Sequence, residues 1–326
     1  MGLITGRASA LQLGVESTWA PATAVTPTVQ LALLSESIRY NVAKKASEVL
    51  QSGITVGTPE IFGYQVEGDI SVEMKPKNAA YLIGLLLGDE TDAALENDTT
   101  GVYKHVFKCL AGGTANSLPS CGLTLDRVTH VKQYTGVKLN GLSLQANAED
   151  YLVGNFTIVG KDEEAGTLES LSLPSENSYT FVGGVVTVDT EDLSGSVESV
   201  SLDISNNLDV VPAITRYIRE PEPMDRDIKF SIECLFDSDI DTLREDHYIT
   251  NAAVAVYLQF VSSSLIETGE YHRFDITIPV GIITELHPSV GGKEKIKATI
   301  EGYAADNSGD PIEIDFYDDL DTEYLD

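Results

Sequence analysis

Gly68-Asp69-Ile70-Ser71-Val72-Glu73-Met74 decides how this chain is read. Its apolar residues fall at every second position, the period of a strand with one face in a core. Ala79, Leu82, Ile83, Leu86 and Leu87 then recur at spacings of three and four, the stripe of a helix from about Lys77 to Leu87. Gly88 supplies its stop. The same phrase returns: Asp227-Ile228-Lys229-Phe230-Ser231-Ile232-Glu233-Cys234 alternates likewise and runs into a second helical stretch, Ser238 to His247. After the first helix the strand-like runs are Val102 to Leu110, Leu123 to Val131, Gly136 to Ala146 and Tyr151 to Val159. After the second they are Ala253 to Val261, Phe274 to Pro279, Gly281 to Leu286 and Ile296 to Tyr303. The sets close on Phe156-Thr157-Ile158-Val159-Gly160 and Ala298-Thr299-Ile300-Glu301-Gly302. Matched positions are unequally spaced, 158 residues from Asp69 to Asp227 but 142 from Thr157 to Thr299. Duplication therefore rests on the order and size of elements, not on a shared fingerprint.

Working outward gives a mainly β chain of two tandem units, each with one helix, plus terminal arms. Residues 1–35 read as an N-terminal arm rich in Ala, Thr and Pro. Its Trp19, the chain's one tryptophan, must bury its ring either on the chain's own core or on a neighbouring subunit. Residues 36–165 form the first β domain, with a long hairpin or loop at 44–63 and an acidic loop at 89–100. Residues 166–196 form a linker with a hairpin around Gly183-Gly184. Residues 197–305 form the second β domain, in which Ile214 to Arg219 also reads as a strand. Residues 306–326 form an acidic C-terminal arm with nine acids and no Lys or Arg. That arm is either a solvated tail or a segment whose aromatics, Phe316 and Tyr317 among them, dock on a neighbour.

Fifty-one acidic residues against twenty-one basic ones leave a formal net charge of −30. A nucleic-acid binder needs a basic stripe, and no basic cluster here exceeds Lys44-Lys45 or the 293–297 stretch. No apolar run approaches the ~20 residues that span a bilayer, so no membrane partner is expected. Three cysteines, Cys109, Cys121 and Cys234, read as buried thiols in a reducing compartment; a Cys109–Cys121 bridge would need oxidising conditions. No His-Glu-x-x-His, Gly-x-Ser-x-Gly or phosphate-cradling loop is present, and no cofactor or enzyme chemistry is expected. Asp237, Asp239 and Asp241 have calcium-loop spacing, but Thr242 stands where glycine is needed and Tyr248 where a glutamate is needed. Acids at a helix N-terminus explain them better.

Three phrases carry a family resemblance: Leu13-Gly14-Val15-Glu16-Ser17-Thr18-Trp19-Ala20-Pro21, Val66 through Leu87, and Val200 to Leu208 followed by Arg226 to Phe236. In their arrangement the chain resembles the major tail tube proteins of long-tailed bacteriophages, over about residues 12–305. The resemblance implies β-sandwich domains with one flanking helix, whose sheets join those of neighbouring copies into rings that stack into a tube. It implies tape-measure, tail-terminator and distal tail proteins as partners, genomic DNA passing through the lumen without specific binding, and a place in the virion tail after synthesis in the host cytoplasm. Most such proteins have one domain per chain in hexameric rings; a duplicated chain favours a trimer. The loop 44–63, with Lys44, Lys45, Gly53, Ile54 and Val56, is the candidate ring-to-ring contact, against a plain solvent hairpin. The alternative function is a β-sandwich binding module of a surface or secreted assembly.

Overall fold

A computed structural model describes residues 6–47, 58–95, 101–110, 117–290, 295–305 and 310–325. In chain order the strands and helices of the first half are β1 (Ala10–Glu16), β2 (Val29–Leu31), β3 (Leu33–Glu36), β4 (Arg39–Lys45), β5 (Glu60–Glu73), α1 (Pro76–Leu87), β6 (Gly88–Leu95), β7 (Tyr103–Cys109), β8 (Ser120–Asp126), β9 (Val131–Asn147), β10 (Val153–Gly160) and β11 (Asp162–Ala165). The second half carries β12 (Tyr179–Val188), β13 (Glu191–Asp192), β14 (Val197–Ser205), β15 (Asp227–Leu235), α2 (Ser238–Leu243), β16 (Val254–Glu267), β17 (Glu270–Ser289), β18 (Lys297–Ala304) and β19 (Glu313–Asp318).

The alternating strands assemble into one continuous antiparallel sheet ordered β4-β5-β10-β9-β14-β15-β18-β17, with β3 beside β4 on the same margin of β5. Alternation gives this sheet two faces. Ile70, Val72, Phe156, Leu142, Leu144, Val200, Leu202, Phe230, Ile232, Ile300 and Leu286 are buried on one. Asp69, Ser71, Asn155, Thr157, Ser143, Ser201, Asp203, Lys229, Ser231 and Glu301 occupy the intervening positions.

β9 and β17 are long because each serves two sheets. The first half of β9 pairs with β8, and β8 with β1 and β1 with β2, while β11 lies on its other side. The first half of β17 pairs with β16, and β16 with β12, while β19 lies on its other side and continues through β7 to β6. Gly136 stands in β9 at φ 63°, where a Cβ would come within 2.7 Å of Ala20. Helix α1 is buried on nearly every side between the sheets rather than flanking them, as its Leu- and Ala-rich sequence requires. Gly88 ends it in the left-handed conformation, φ 92°. Helix α2 is short, amphipathic, and followed by a π-helical turn over Arg244–Tyr248. Asp237 caps α2, accepting from the N–H groups of Asp239 and Ile240.

The two halves share their irregularities. In β9–β10 the register slips at Asn140, and in β17–β18 it slips at Thr284. In β3–β5 it slips at Leu34, and in β14–β15 at Glu198. Leu33 faces Val72 as Val197 faces Cys234, and Gly141 faces Thr157 as Glu285 faces Glu301. Each of these four slips thus has a counterpart at the same place in the other half.

Several segments differ from expectation. The described part of the N-terminal arm is built into the fold: β1 lies between β2 and β8, with Leu11 and Leu13 fully buried. The acidic stretch 89–95 is strand β6. Gly183-Gly184 is a bulge within β12, and the chain turns instead at Asp189-Thr190 between β12 and β13. Ile214 to Arg219 is a loop held by isolated bridges, exposed except for half-buried Tyr217 and buried Ile218. The described part of the C-terminal arm is neither a solvated tail nor an outward hook: β19 fills the slot between β17 and β7, and Tyr324 is buried.

Candidate subunit interface

The seam between the halves shows what a finished strand junction looks like in this chain. β9 and β14 pair antiparallel, with Ala146 facing Val200, Leu144 facing Leu202, Ser143 facing Asp203 and Gly141 facing Ser205. The apolar residues of this seam, Leu142 and Ile204 included, are each 4% exposed or less. Polar partners close its other side.

Both outer margins of the same sheet lack that closure. Among the described residues β3 and β4 pair only with β5, and β17 beyond Gly281 pairs only with β18. The shared bulges fix which positions correspond: β17 at Glu285, Leu286, His287 and Pro288, with Val290 just past its end, matches β9 at Gly141, Leu142, Ser143, Leu144 and Ala146. The β3–β4 margin at Glu36, Ile38, Arg39 and Asn41 matches β14 at Val200, Leu202, Asp203 and Ser205. Leu144 and Ala146 are 2% exposed, whereas Val290 is 72% exposed and Pro288 stands in solvent. Proline in a strand belongs at an edge, since it has no N–H to donate. Arg39 is held by Glu67 at 2.7 Å, and Tyr248 Oη lies 3.3 Å from His287 Nε2.

The β4–β5 hairpin overhangs the sheet. β10 covers β5 only from Val66 onward, so residues 60–65 project ~20 Å past it with β4. A ladder of tyrosines braces the root. Tyr40 and Tyr64 stack with centroids 5.5 Å apart, and Tyr64 lies 5.5 Å from Tyr217. Tyr40 donates to Asp162 Oδ1 at 2.7 Å; burial and that carboxylate hold its hydroxyl well above the usual tyrosine range. Lys44 and Lys45 sit exposed toward the hairpin tip. Gly53, Ile54 and Val56 lie outside the described residues.

The other residues singled out by sequence are placed inside the chain. Trp19 is half-buried on its own chain: its Nε1–H donates to Gly136 O at 3.0 Å and Lys161 stands 5.1 Å over the ring. Phe316 is 1% and Tyr317 7% exposed, so docking of these rings on a neighbour is corrected. Phe316 stacks on Phe274 at 4.5 Å because the sheet offers an apolar slot that only this strand fills. Behind it, His105 contacts Glu90 at 3.2 Å, Asp318 at 3.3 Å and Leu320 O at 3.0 Å. Burial opposes its charge, but the two carboxylates outweigh burial and its pKa is pushed up to about 9. Glu90 also accepts from the Tyr324 and Leu325 N–H groups, and the Tyr324 hydroxyl donates to Asp318 at 2.5 Å.

All three cysteines are free and buried. Two shallow concavities of about 330 and 280 Å³ on the polar sheet face are lined by residues such as Asn155, Thr157, Asp203, Lys229 and Glu301. Among the described residues, metal-ligating side chains converge at Glu176, His272 and Asp319. No described helix is long and apolar enough to cross a membrane.

The model of a family described as phage tail tube protein matches residues 6–304. No individual curated protein matches the chain.

Proposed function

Because the chain belongs to the phage tail tube protein family, we propose that it closes into rings of three copies through the open margins of its long sheet. It is a structural subunit of the virion tail, and it assembles with itself into a tube. The finer reading is that β17 of one copy pairs with the β3–β4 margin of the next as β9 pairs with β14 within the chain. Arg39 then faces His287 and Asn41 faces Glu285 of the neighbour. The exposure of Val290 and Pro288 carries this reading, because their counterparts Ala146 and Leu144 are buried by just such a junction. Open β edges are a hazard in a monomer and are satisfied in a closed ring.

Matching bulges support two like units per chain, and two units per chain against rings of six units give a trimer. The polar face of the long sheet then lines the lumen. Its carboxylates repel DNA phosphates close to the wall, within a screening length of about 8 Å at physiological salt, so that the genome passes without sticking. The overhanging β4–β5 hairpin, with Lys44 and Lys45, reaches toward the next ring. Tape-measure, tail-terminator and distal tail proteins meet the lumen and the two tube ends.

A cysteine pair tests the junction. Facing residues on antiparallel strands have Cα atoms ~4.5–5.5 Å apart, within disulfide reach. Assembled tubes of Arg39→Cys with His287→Cys should give covalent trimers under oxidation, while Arg39→Cys with Ser289→Cys, out of register, should link poorly. Ladders reaching six copies, or no linkage in intact tubes, would contradict it.

A further inference from the structure

Three segments far apart in sequence meet at one small cluster. Glu176 precedes β12, His272 lies near the start of β17, and Asp319 follows β19. One ligating atom from each lies within 4.8 Å of the others. His272 is 3% exposed, yet its Nδ1 has no hydrogen-bond partner. Glu176 Oε2 is buried and has none either. A buried polar atom left without a partner is costly, so two in one cluster point to a ligand that both can share. An open concavity of about 300 Å³, lined by Ser175, Glu176, Ser264, His272 and Asp319, gives access from solvent.

The cluster already gathers around positive charge. The Lys77 ammonium stands 3.0 Å from Asp319 Oδ1 and 3.4 Å from Glu176 Oε1.

We propose that Glu176, His272 and Asp319 form a binding site for a divalent first-row transition-metal ion, with Zn²⁺ the best fit, entered by displacing the Lys77 ammonium. One imidazole with two carboxylates is a zinc-type donor set; Mg²⁺ and Ca²⁺ favour oxygen donors alone. Ligands at ~2.0–2.2 Å from zinc require the three donors to draw together slightly, and the concavity leaves the fourth position to water. Bound metal would clamp the segment ahead of β12, the outer sheet and the chain's C-terminal segment at one point. The site does not depend on how copies join.

The test is Zn²⁺ titration of the chelator-stripped full chain by calorimetry, with Co²⁺ absorption as a reporter of imidazole ligation. The wild type should take up one Zn²⁺ per chain in a site that His272→Ala weakens by at least about tenfold. Lys77→Met should tighten binding, since it removes the competing ammonium. Should His272→Ala fail to fold, Asp319→Asn at the exposed end of the cluster carries the same expectation. Equal Zn²⁺ binding by wild type and the ligand variants would be diffuse attraction to an acidic surface and would overturn the proposal. No gain in Lys77→Met would overturn it as well.

Discussion

Along the β9–β14 seam, Leu144 and Ala146 face Leu202 and Val200 and are out of water. Along the outer margin of β17 and just past its end, Pro288 and Val290 hold the corresponding positions and are in it. The backbone does the same thing in both places, down to the bulge at Asn140 and at Thr284. The seam is a junction completed within the chain; in the proposed ring the margins are the two halves of a like junction, left open. Monomer stability should therefore depend on the first, and assembly on the second.

The widest expected divergence comes from placing one charge at both sites. Leu144→Asp loses a packed leucine and buries a carboxylate, costing upwards of about 5 kcal/mol, so urea denaturation should find the chain largely unfolded. Pro288→Asp should change the isolated subunit by no more than about 0.5 kcal/mol, yet tubes should be absent from micrographs. Tubes from Pro288→Asp would break the comparison.

A second seam, between β7 and β19, also ties the halves together. Phe316→Ala removes its stacking partner from Phe274 and should cost about 3–5 kcal/mol by chemical denaturation. A loss below ~1 kcal/mol would show that β19 is an accessory strand.

The His105 cluster sharpens the same point through pH. Its folded pKa, raised to about 9, lies above the ordinary histidine value of 6.5. The stability it contributes is therefore fully present below pH 6.5 and is lost as pH rises toward 9. Melting temperature should fall over that window in the wild type and not in His105→Gln.

The smallest effect separates the two helices. Asp237 caps α2, whereas α1 has no side-chain cap and depends on burial. Asp237→Ala should cost about 1 kcal/mol with tubes intact.

Much of this was legible in the sequence. The alternation of Gly68–Met74 and Asp227–Cys234 gave β5 and β15, and the three-and-four spacing gave α1, because those signals are local. The seams were not local. Glu313-Ile314-Asp315-Phe316-Tyr317-Asp318 also alternates, but its acids pointed to a solvated or docking tail. Its real partners are distant: Lys104 reaches Asp315 at 2.8 Å, Lys108 reaches Glu313 at 3.0 Å, and Arg273 stands 3.7 Å over the Tyr317 ring. In sequence β1 and β12 read as arm and linker for the same reason, since their outer-sheet partners lie far along the chain. Of the proposed interface, Pro288 lies past the run Gly281 to Leu286 that alternation marks, and the correspondence of Arg39 with Asp203 emerges only from strand registers.

Helical reconstruction of assembled tubes by electron cryomicroscopy tests the central claim most directly. Three chains per ring, with Arg39 of one copy opposite His287 of the next, is the expected result. Six chains per ring, or β17 and the β3–β4 margin lying apart from any neighbouring strand, would contradict it.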